Sequence, residues 1–489
     1  MANLKELSKD TLIYGSGRVL KKIIGLFLLP FYTRALNPEQ YGILDTLATF
    51  SMFVLLIFGL GLQGATSRYF FIAKGEVEKK KLLFTSLLIR IFSYAVPVVI
   101  LLIFSTKLSK ILFDTETLKW VVMISVFTIM ITALMEMQSQ IFRFYRMPWK
   151  YTIVNSLRAF LNPLFGITFV VILHWGVFGA TLSSMISSSI VLMVAFIFFT
   201  KKYYVTAFSR KWAKKLLVFG YPLIFTALLV WVNNVSDRFF LLHYSNLDQI
   251  GLYSIGNTFT QPISFLNTAL KLSGAVLMFS LYNEEKEDDK PRTKIFLTKY
   301  WYTYLVFSIS IAVLISVFSY EIVNFVTTPK YIMGILAIPF LAFGSIIFQC
   351  SQITGNGMTL KEKSKPYFWI MLIAALTNAG LNFYFVPRFG FVGAAITTVT
   401  SNFLYFAVAY FWSQKVFYIK RSFLKPMLYF FLALGVSVFF PFYQIYHDFE
   451  VNFGLKIFAL LLTMSIPFLF KLVNLRMISS LARSIIRKG

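Results

Sequence analysis

The sequence predicts an all-α integral membrane protein of about fourteen transmembrane helices: two parallel six-helix lobes and a C-terminal helix pair. Three observations carry this reading. Hydrophobic residues make up 58% of the 489 positions and charged ones only 14%, against roughly a quarter charged in soluble proteins. Mean hydropathy is +0.72. Apolar runs of about 20 residues, the length that crosses the hydrocarbon as a helix, recur from end to end.

Helices are predicted over 11–32, 43–63, 83–104, 118–140, 152–173, 176–199, 216–240, 250–282, 295–318, 332–354, 367–386, 391–413, 426–443 and 454–474. The eighth segment is long and holds Pro262, which marks a break or an extension beyond the bilayer. The 56 Phe residues suit lipid-facing surfaces. No A-x-A-like site follows the first apolar run, which carries internal Lys and Arg, so no removable signal peptide is predicted.

The connections alternate in charge. One set holds Lys79–Lys81, Arg143 with Arg146 and Lys150, Lys201 and Lys202 with Arg210 to Lys215, Lys361 to Lys365, and Lys415 with Lys420, Arg421 and Lys425. With both termini it contains about 30 basic residues against about 5 in the other set, so the rich set is expected to be cytoplasmic. Both termini are then expected on the cytoplasmic side of the membrane. The net charge of +27 is thereby explained by orientation, and no nucleic-acid partner is inferred. No connection exceeds roughly 17 residues, too few for a soluble domain of ~50 or more. The stretch 283–294 is the one linker-like run.

Two short motifs recur in register. Asn37-Pro38-Glu39-Gln40-Tyr41-Gly42 and Asn246-Leu247-Asp248-Gln249-Ile250-Gly251 both read N-x-[ED]-Q-x-G. Gly176-Val177-Phe178-Gly179-Ala180 and Gly390-Phe391-Val392-Gly393-Ala394 both read G-x-x-G-A. Six helices per repeat gives both halves one orientation, hence parallel repeats about an axis along the membrane normal. The expected divisions are 1–215 (N-lobe), 216–425 (C-lobe) and 426–489 (helix pair and tail).

Ionisable groups inside the helices are costly, which makes them informative. Arg18, Lys21 and Lys22 share roughly one face of the first helix. Lys22 lies about 16 Å in from Thr11. Facing lipid, the trio would cost on the order of 8–10 kcal/mol, so a water-filled cavity between the halves is the expected environment. Arg90, Arg158, Lys271 and Lys299 lie one or two turns from the predicted basic face, where snorkelling serves as well as a substrate role. Carboxylates are few: Asp45, Glu136 and Asp237. Glu136 and Asp237 are the candidates for ion coupling. The surplus predicts an anionic substrate, with phosphate suited to arginine.

Asn233, Asn378 and Asn382 are candidate sugar contacts, with helix–helix hydrogen bonding as the equal alternative for each. Asn378 and Asn382, one turn apart, are the best pair, and Tyr14, Tyr69 and Trp231 are candidate stacking rings. Cys350 is the lone cysteine, and His174, His243 and His447 lie far apart, so neither a disulfide within the chain nor a metal site is expected. No G-x-x-x-x-G-K-[ST] run occurs, so an ion gradient, the membrane potential or consumption of product must supply energy. No cofactor is inferred.

The opening LIYGSGRVLKKIIGLFLLPFYTRALNPEQYGILD, followed by GLGLQGATSRYF, resembles the polysaccharide transporter family, which includes O-antigen and related lipid-linked oligosaccharide flippases. That family belongs to the multidrug, oligosaccharidyl-lipid and polysaccharide exporter superfamily. The matching positions are Arg34, Asn37, Glu39, Tyr41, Gly42, Gly59, Gly61 and Arg68. The resemblance implies a secondary transporter, not an enzyme: a cationic central cavity that moves a polyprenyl-pyrophosphate-linked oligosaccharide to the outer leaflet by alternating access. It also implies a role for the last two helices in holding the lipid tail, and glycan polymerase machinery as a candidate partner beside the bilayer. A peptidoglycan lipid II flippase satisfies the same anionic logic. A multidrug/cation antiporter would want carboxylates where this first helix has cations, and a membrane-embedded polymerase or ligase would want a large external loop.

Overall fold

A computed structural model of the chain describes residues 24–286, 289–363, 365–447 and 452–472, and at 269, 271–273, 275, 276 and 447 the backbone alone. The described residues form helices and the short connections between them, with no strand among them. Ten of the described helices are long and apolar enough to cross a membrane. The chain is a multi-pass membrane protein. Contacts divide it into two compact units, Met1–Gly251 and Leu252–Gly489.

In the first unit, α1 (Ile24–Ala35) leads into α2 (Pro38–Phe58). The start of α2 is fixed by local chemistry. The Asn37 side chain accepts from Gln40 N–H at 2.8 Å and the Gln40 side chain accepts from Asn37 N–H at 3.1 Å. This reciprocal cap, with Pro38 at the first position and Glu39 in the first turn, satisfies two orphan donors and complements the helix dipole. The helix therefore begins five residues before the predicted 43. It ends at Gly59, and a separate helix, α3 (Leu62–Ile72), follows where a single span to 63 was expected. Next come α4 (Glu76–Ile103), α5 (Ser105–Phe113), α6 (Lys119–Phe144), α7 (Pro148–Gly166) and α8 (Gly176–Val194). The helix α9 (Arg210–Val235) joins this unit by packing on α3: Tyr69 meets Trp212 and Phe219 at ring-centre distances of 6.1 and 5.9 Å. The short α10 (Asp237–Tyr244) completes it, and the boundary falls within α11 (Leu247–Phe259).

The repeat motifs have matching structures. Asn246 accepts from Gln249 N–H at 3.0 Å, as Asn37 does from Gln40. The glycines that close the two motifs touch the opposite motif. A Cβ on Gly42 would lie 2.0 Å from the Leu247 carbonyl oxygen, and one on Gly251 would lie 2.0 Å from that of Pro38. Backbones approach this closely only without side chains, which explains glycine at both positions. In the second motif Gly176 and Gly390 both take φ +53°. Gly179 then packs on the Phe169 carbonyl and Gly393 on that of Phe385.

The second unit continues with α12 (Gln261–Glu284), α13 (Pro291–Val317), α14 (Ser319–Val326), α15 (Ile338–Leu360), α16 (Lys365–Val416), α17 (Leu424–His447) and α18 (Phe453–Leu469). The predicted break at Pro262 occurs: α11 ends at Phe259 and α12 starts at Gln261. The two helices expected over 367–386 and 391–413 run together as α16, with Gly390 as the one non-helical residue. The core of the unit gathers around α15, where Phe343, Ile346, Ile347 and Cys350 meet Trp301 and Tyr304 of α13 and Tyr429 and Phe430 of α17. The fully buried Lys456 at the head of α18 pairs with Glu321 of α14. The outward faces of α17 and α18 are apolar: Leu424, Leu428, Phe431 and Leu432, then Phe458, Leu461, Leu462 and Leu469 are exposed. In water such a surface would be unstable; against acyl chains it is the expected one.

Candidate substrate site

Several predicted charges converge in the first unit, around α6. Most of α6 is apolar, but its last third reads Glu136-Met137-Gln138-Ser139-Gln140, and Gln138, Ser139 and Gln140 are buried. Polar side chains at this depth need partners. Arg90, fourteen residues into α4 and hence about 21 Å along its axis, is 3% exposed. Its Nη1 donates to the Ala133 carbonyl at 3.0 Å, and its Nε has no acceptor among the described residues. Arg90 therefore does not reach for the helix end, as snorkelling would require; it is turned inward against α6.

From α7, Arg158 Nη2 donates to the Thr132 hydroxyl at 3.5 Å. Thr132, Ala133 and Glu136 occupy a little more than one turn of α6, so arginines from two different helices reach the same stretch. Both lie within electrostatic reach of Glu136. Glu136 itself is exposed and Arg158 half-buried. Two guanidiniums against one carboxylate leave a net positive charge, and the group's open edge is the Glu136 side. Two tyrosines frame it. The Tyr94 hydroxyl donates to the Leu55 carbonyl at 2.6 Å, fixing α4 against the end of α2, and the Tyr204 hydroxyl donates to Gln138 Oε1 at 3.0 Å. Thr132, Tyr94, Gln138 and Tyr204 were not singled out in the sequence. The run Glu136–Gln140, polar inside an apolar helix, was the available signal.

A second polar group sits at the α9–α10 junction. Arg238 Nε donates to Asp45 Oδ2 of α2 at 2.9 Å. Asn233 and Asp237, one turn apart, are each 1% exposed beside it. Asn378 and Asn382 are both fully buried on α16: Asn378 Nδ2 donates to the Ser401 hydroxyl at 3.3 Å and Asn382 Nδ2 to Asn378 Oδ1 at 3.1 Å. The Asn378–Ser401 bond joins the two arms of α16 across its kink, while the Asn382–Asn378 bond lies within the first arm. Trp231 lies between Phe53 and Phe239, at 5.0 and 5.4 Å. Arg68 is exposed, with its guanidinium carbon 4.5 Å from the Phe219 ring centre. Arg18, Lys21, Lys22 and Tyr14 lie outside the described residues, as does the Lys271 side chain. Among the described residues no group of three His, Cys, Asp or Glu side chains could hold a metal.

Comparison with known proteins places this architecture. The family model described as polysaccharide biosynthesis protein matches residues 7–272, and the MatE model matches residues 222–384. The Lsg locus putative protein 1 of Haemophilus influenzae is 22% identical over 270 residues, 54% of this chain and 63% of the relative. An uncharacterized membrane protein of Methanocaldococcus jannaschii is 26% identical over 198 residues, 40% of this chain and 38% of the relative. The matches thus span less than two thirds of these curated relatives. Among solved structures, the lipid II flippase MurJ in an inward closed conformation aligns over 97% of this chain and all of its own, with a TM-score of 0.73 at 16% identity. An inward-facing multidrug resistance MATE family transporter of the MOP superfamily aligns over 83% of this chain and 97% of its own, with a TM-score of 0.62 at 15% identity.

Proposed function

Because the chain belongs to the family of polysaccharide biosynthesis proteins, we propose that it is a flippase that carries a polyprenyl-pyrophosphate-linked oligosaccharide from the cytoplasmic to the outer leaflet of a bacterial inner membrane. The cargo is then an intermediate of cell-surface polysaccharide, of the O-antigen kind, and the mechanism is alternating access without a covalent step. The observation that carries this reading is the Arg90–Glu136–Arg158 group. Inside a bundle of apolar helices, where charge–charge forces are weakly screened, it holds one more positive than negative charge. Such a surplus of positive charge favours anions and repels cations. Guanidinium pairs also suit the oxygens of a pyrophosphate.

In this reading Arg18, Lys21, Lys22 and Lys271 are further cationic contacts of the pyrophosphate, Asn233 is a contact of the sugar, and Asp237 is a candidate for ion coupling. The divisions 1–215 and 216–425 act as the moving lobes. The apolar outward faces of α17 and α18 support a role in guiding the prenyl chain, which stays in lipid while the headgroup crosses.

One observation favours a second cargo on the same fold. The likeness to the lipid II flippase structure extends over 97% of the chain, against 83% for the multidrug transporter. A peptidoglycan precursor is therefore the alternative pyrophosphate lipid. Two assays separate them. Deleting the gene and restoring it with wild type should restore surface glycan; Arg18→Glu, Lys22→Glu and Arg158→Glu should not, although each protein inserts normally. Rescue of cells depleted of their lipid II flippase would transfer the assignment to peptidoglycan. Normal surface glycan in all three variants would overturn the cationic-path reading.

A further inference from the structure

The connection between α16 and α17 carries Lys415, Lys420, Arg421 and Lys425. The three lysines are exposed, as a basic membrane-flanking connection should be. Arg421 behaves differently. All three of its guanidinium nitrogens are buried, and none has a hydrogen-bond acceptor among the described residues. The groups that reach it electrostatically are Tyr302, Tyr410 and Cys350, with no carboxylate among them.

The described acids of this unit are engaged elsewhere. Glu284 bonds Ser280, Glu285 bonds Arg292 and Thr293, Asp289 pairs with Lys294, and Glu321 pairs with Lys456. Glu362 is exposed at the end of α15. Residues 473–489 contain no Asp or Glu.

The inward turn of Arg421 is built into its loop. Gln414 clamps Ile419 twice, its Nε2 donating to the Ile419 carbonyl at 3.0 Å and its Oε1 accepting from Ile419 N–H at 2.8 Å. On the other side the Tyr302 hydroxyl donates to the Ser422 carbonyl at 2.9 Å. Phe423 is wedged against Tyr410 and Trp301 at ring-centre distances of 4.4 and 5.4 Å. The backbone is thus held two residues before Arg421 and one residue after it. The indole Nε1 of Trp301, packed on the same Phe423, is likewise buried without an acceptor.

A guanidinium stays protonated at neutral pH even here, where burial lowers its pKa to about 10. A buried cation with unused donors is unfavourable unless an anion completes it. We propose that Arg421 is the phosphate-binding residue of a lipid site at the head of α17, taking the phosphate or pyrophosphate headgroup of a membrane lipid. The exposed lysines draw the headgroup in. The apolar side chains Leu424, Leu428, Phe431 and Leu432, exposed along α17, give its acyl or prenyl chains a surface. The site stands on geometry separate from the Arg90 group and does not depend on the cargo assigned there. Two lipids carry the required chemistry: an anionic phospholipid of the bilayer and the polyprenyl pyrophosphate itself.

The test uses the full-length protein, purified and delipidated in detergent, as wild type, Arg421→Lys and Arg421→Gln. Binding and melting temperature are followed against phosphatidylglycerol, a polyprenyl pyrophosphate, diacylglycerol and inorganic phosphate. Arg421→Gln should bind the phosphate-bearing lipid at least tenfold more weakly than wild type, with Arg421→Lys in between and the diacylglycerol response unchanged. In lipid-free detergent Arg421→Gln should melt at or above the wild-type temperature, because it removes a buried unpaired charge. Preference for phosphatidylglycerol would identify a structural lipid and preference for the pyrophosphate a cargo contact; either supports the site. Equal lipid affinity in wild type and Arg421→Gln would overturn it. So would a destabilised or unfolded lipid-free Arg421→Gln, which would reveal a partner within the protein. Inorganic phosphate binding as tightly as lipid would overturn the lipid assignment.

Discussion

Asp45 and Arg238 are separated by 193 positions in the chain, yet Asp45 Oδ2 and Arg238 Nε lie 2.9 Å apart, joining α2 to α10. Their side chains are 22% and 10% exposed. Breaking a fully buried pair costs ~3–5 kcal/mol and an exposed one under ~1 kcal/mol, so this pair should fall between, at about 1–3 kcal/mol. Asp45→Asn and Arg238→Gln should each lower the melting temperature. The double variant should lose less than the sum, because the second substitution no longer strands a charge. Strictly additive losses would show that the two side chains do not act on one another.

The contact between Gly42 and Gly251 makes a steric prediction. Alanine at either position places a methyl group 2.0 Å from a backbone oxygen, which neither α2 nor α11 can yield by turning a side chain. Overpacking of this kind costs ~1–3 kcal/mol. Gly42→Ala and Gly251→Ala should therefore destabilise to similar degrees, each acting on the other's motif. Gly380→Ala, with open space around its position inside α16, is the control that should hold or raise the melting temperature.

Local chemistry was legible in the sequence; long-range pairing was not. The N-x-[ED]-Q-x-G repeat could be read because capping acts over three residues, and both asparagines do cap. The break before Pro262 could be read for the same reason. That the two motifs would touch through their glycines required tertiary structure. Arg90, Arg158 and Glu136 were each visible as charges in apolar runs, but α6 brings them together only by packing on α4 and α7. Arg421 was unreadable in a different sense. In the sequence it is one more base in a basic connection, and only the fixed loop turns it inward. Asn378 and Asn382 bond each other one turn apart, a contact local to one arm of α16, whereas the bond from Asn378 to Ser401 depends on the kink at Gly390.

A pH dependence follows from the start of α13. The Glu285 carboxylate accepts from the Arg292 N–H at 2.7 Å, the Thr293 N–H at 3.1 Å and the Thr293 hydroxyl at 2.8 Å, serving orphan donors of the first turn. Partial burial works to raise its pKa. The hydrogen bonds from Arg292 and Thr293 and the charge of Lys290 outweigh that effect, so the folded-state value lies below the ordinary one. A lowered carboxylate pKa stabilises the fold above the unfolded-state value of about 4.3, and the stabilisation is lost as pH falls through the folded-state value. Glu285→Ala should thus melt below wild type at pH 7. The gap should close on acidification below about pH 4 and stay constant between pH 6 and 8. A gap independent of pH down to the acid limit would mean that the carboxylate charge contributes nothing at this cap.

The sharpest consequence of the α6 group concerns the sign of its charge. Glu136 offsets one of two arginines, so removing its charge and removing theirs should push anion binding in opposite directions. Glu136→Gln keeps the side chain's shape while leaving Arg90 and Arg158 without their shared counter-charge. Binding of a polyprenyl pyrophosphate to the purified protein should tighten several-fold, and release, hence transport, should slow. Arg90→Gln and Arg158→Gln should each weaken binding by about tenfold or more, since a charge-assisted hydrogen bond is worth ~1.5–3 kcal/mol. Raising the salt concentration should weaken binding to Glu136→Gln more steeply than to wild type, because more of its affinity is electrostatic. Weaker binding in all three variants would make Glu136 a direct contact of the cargo or the clamp that holds both arginines in place. In that case the surplus charge would no longer account for the choice of an anion.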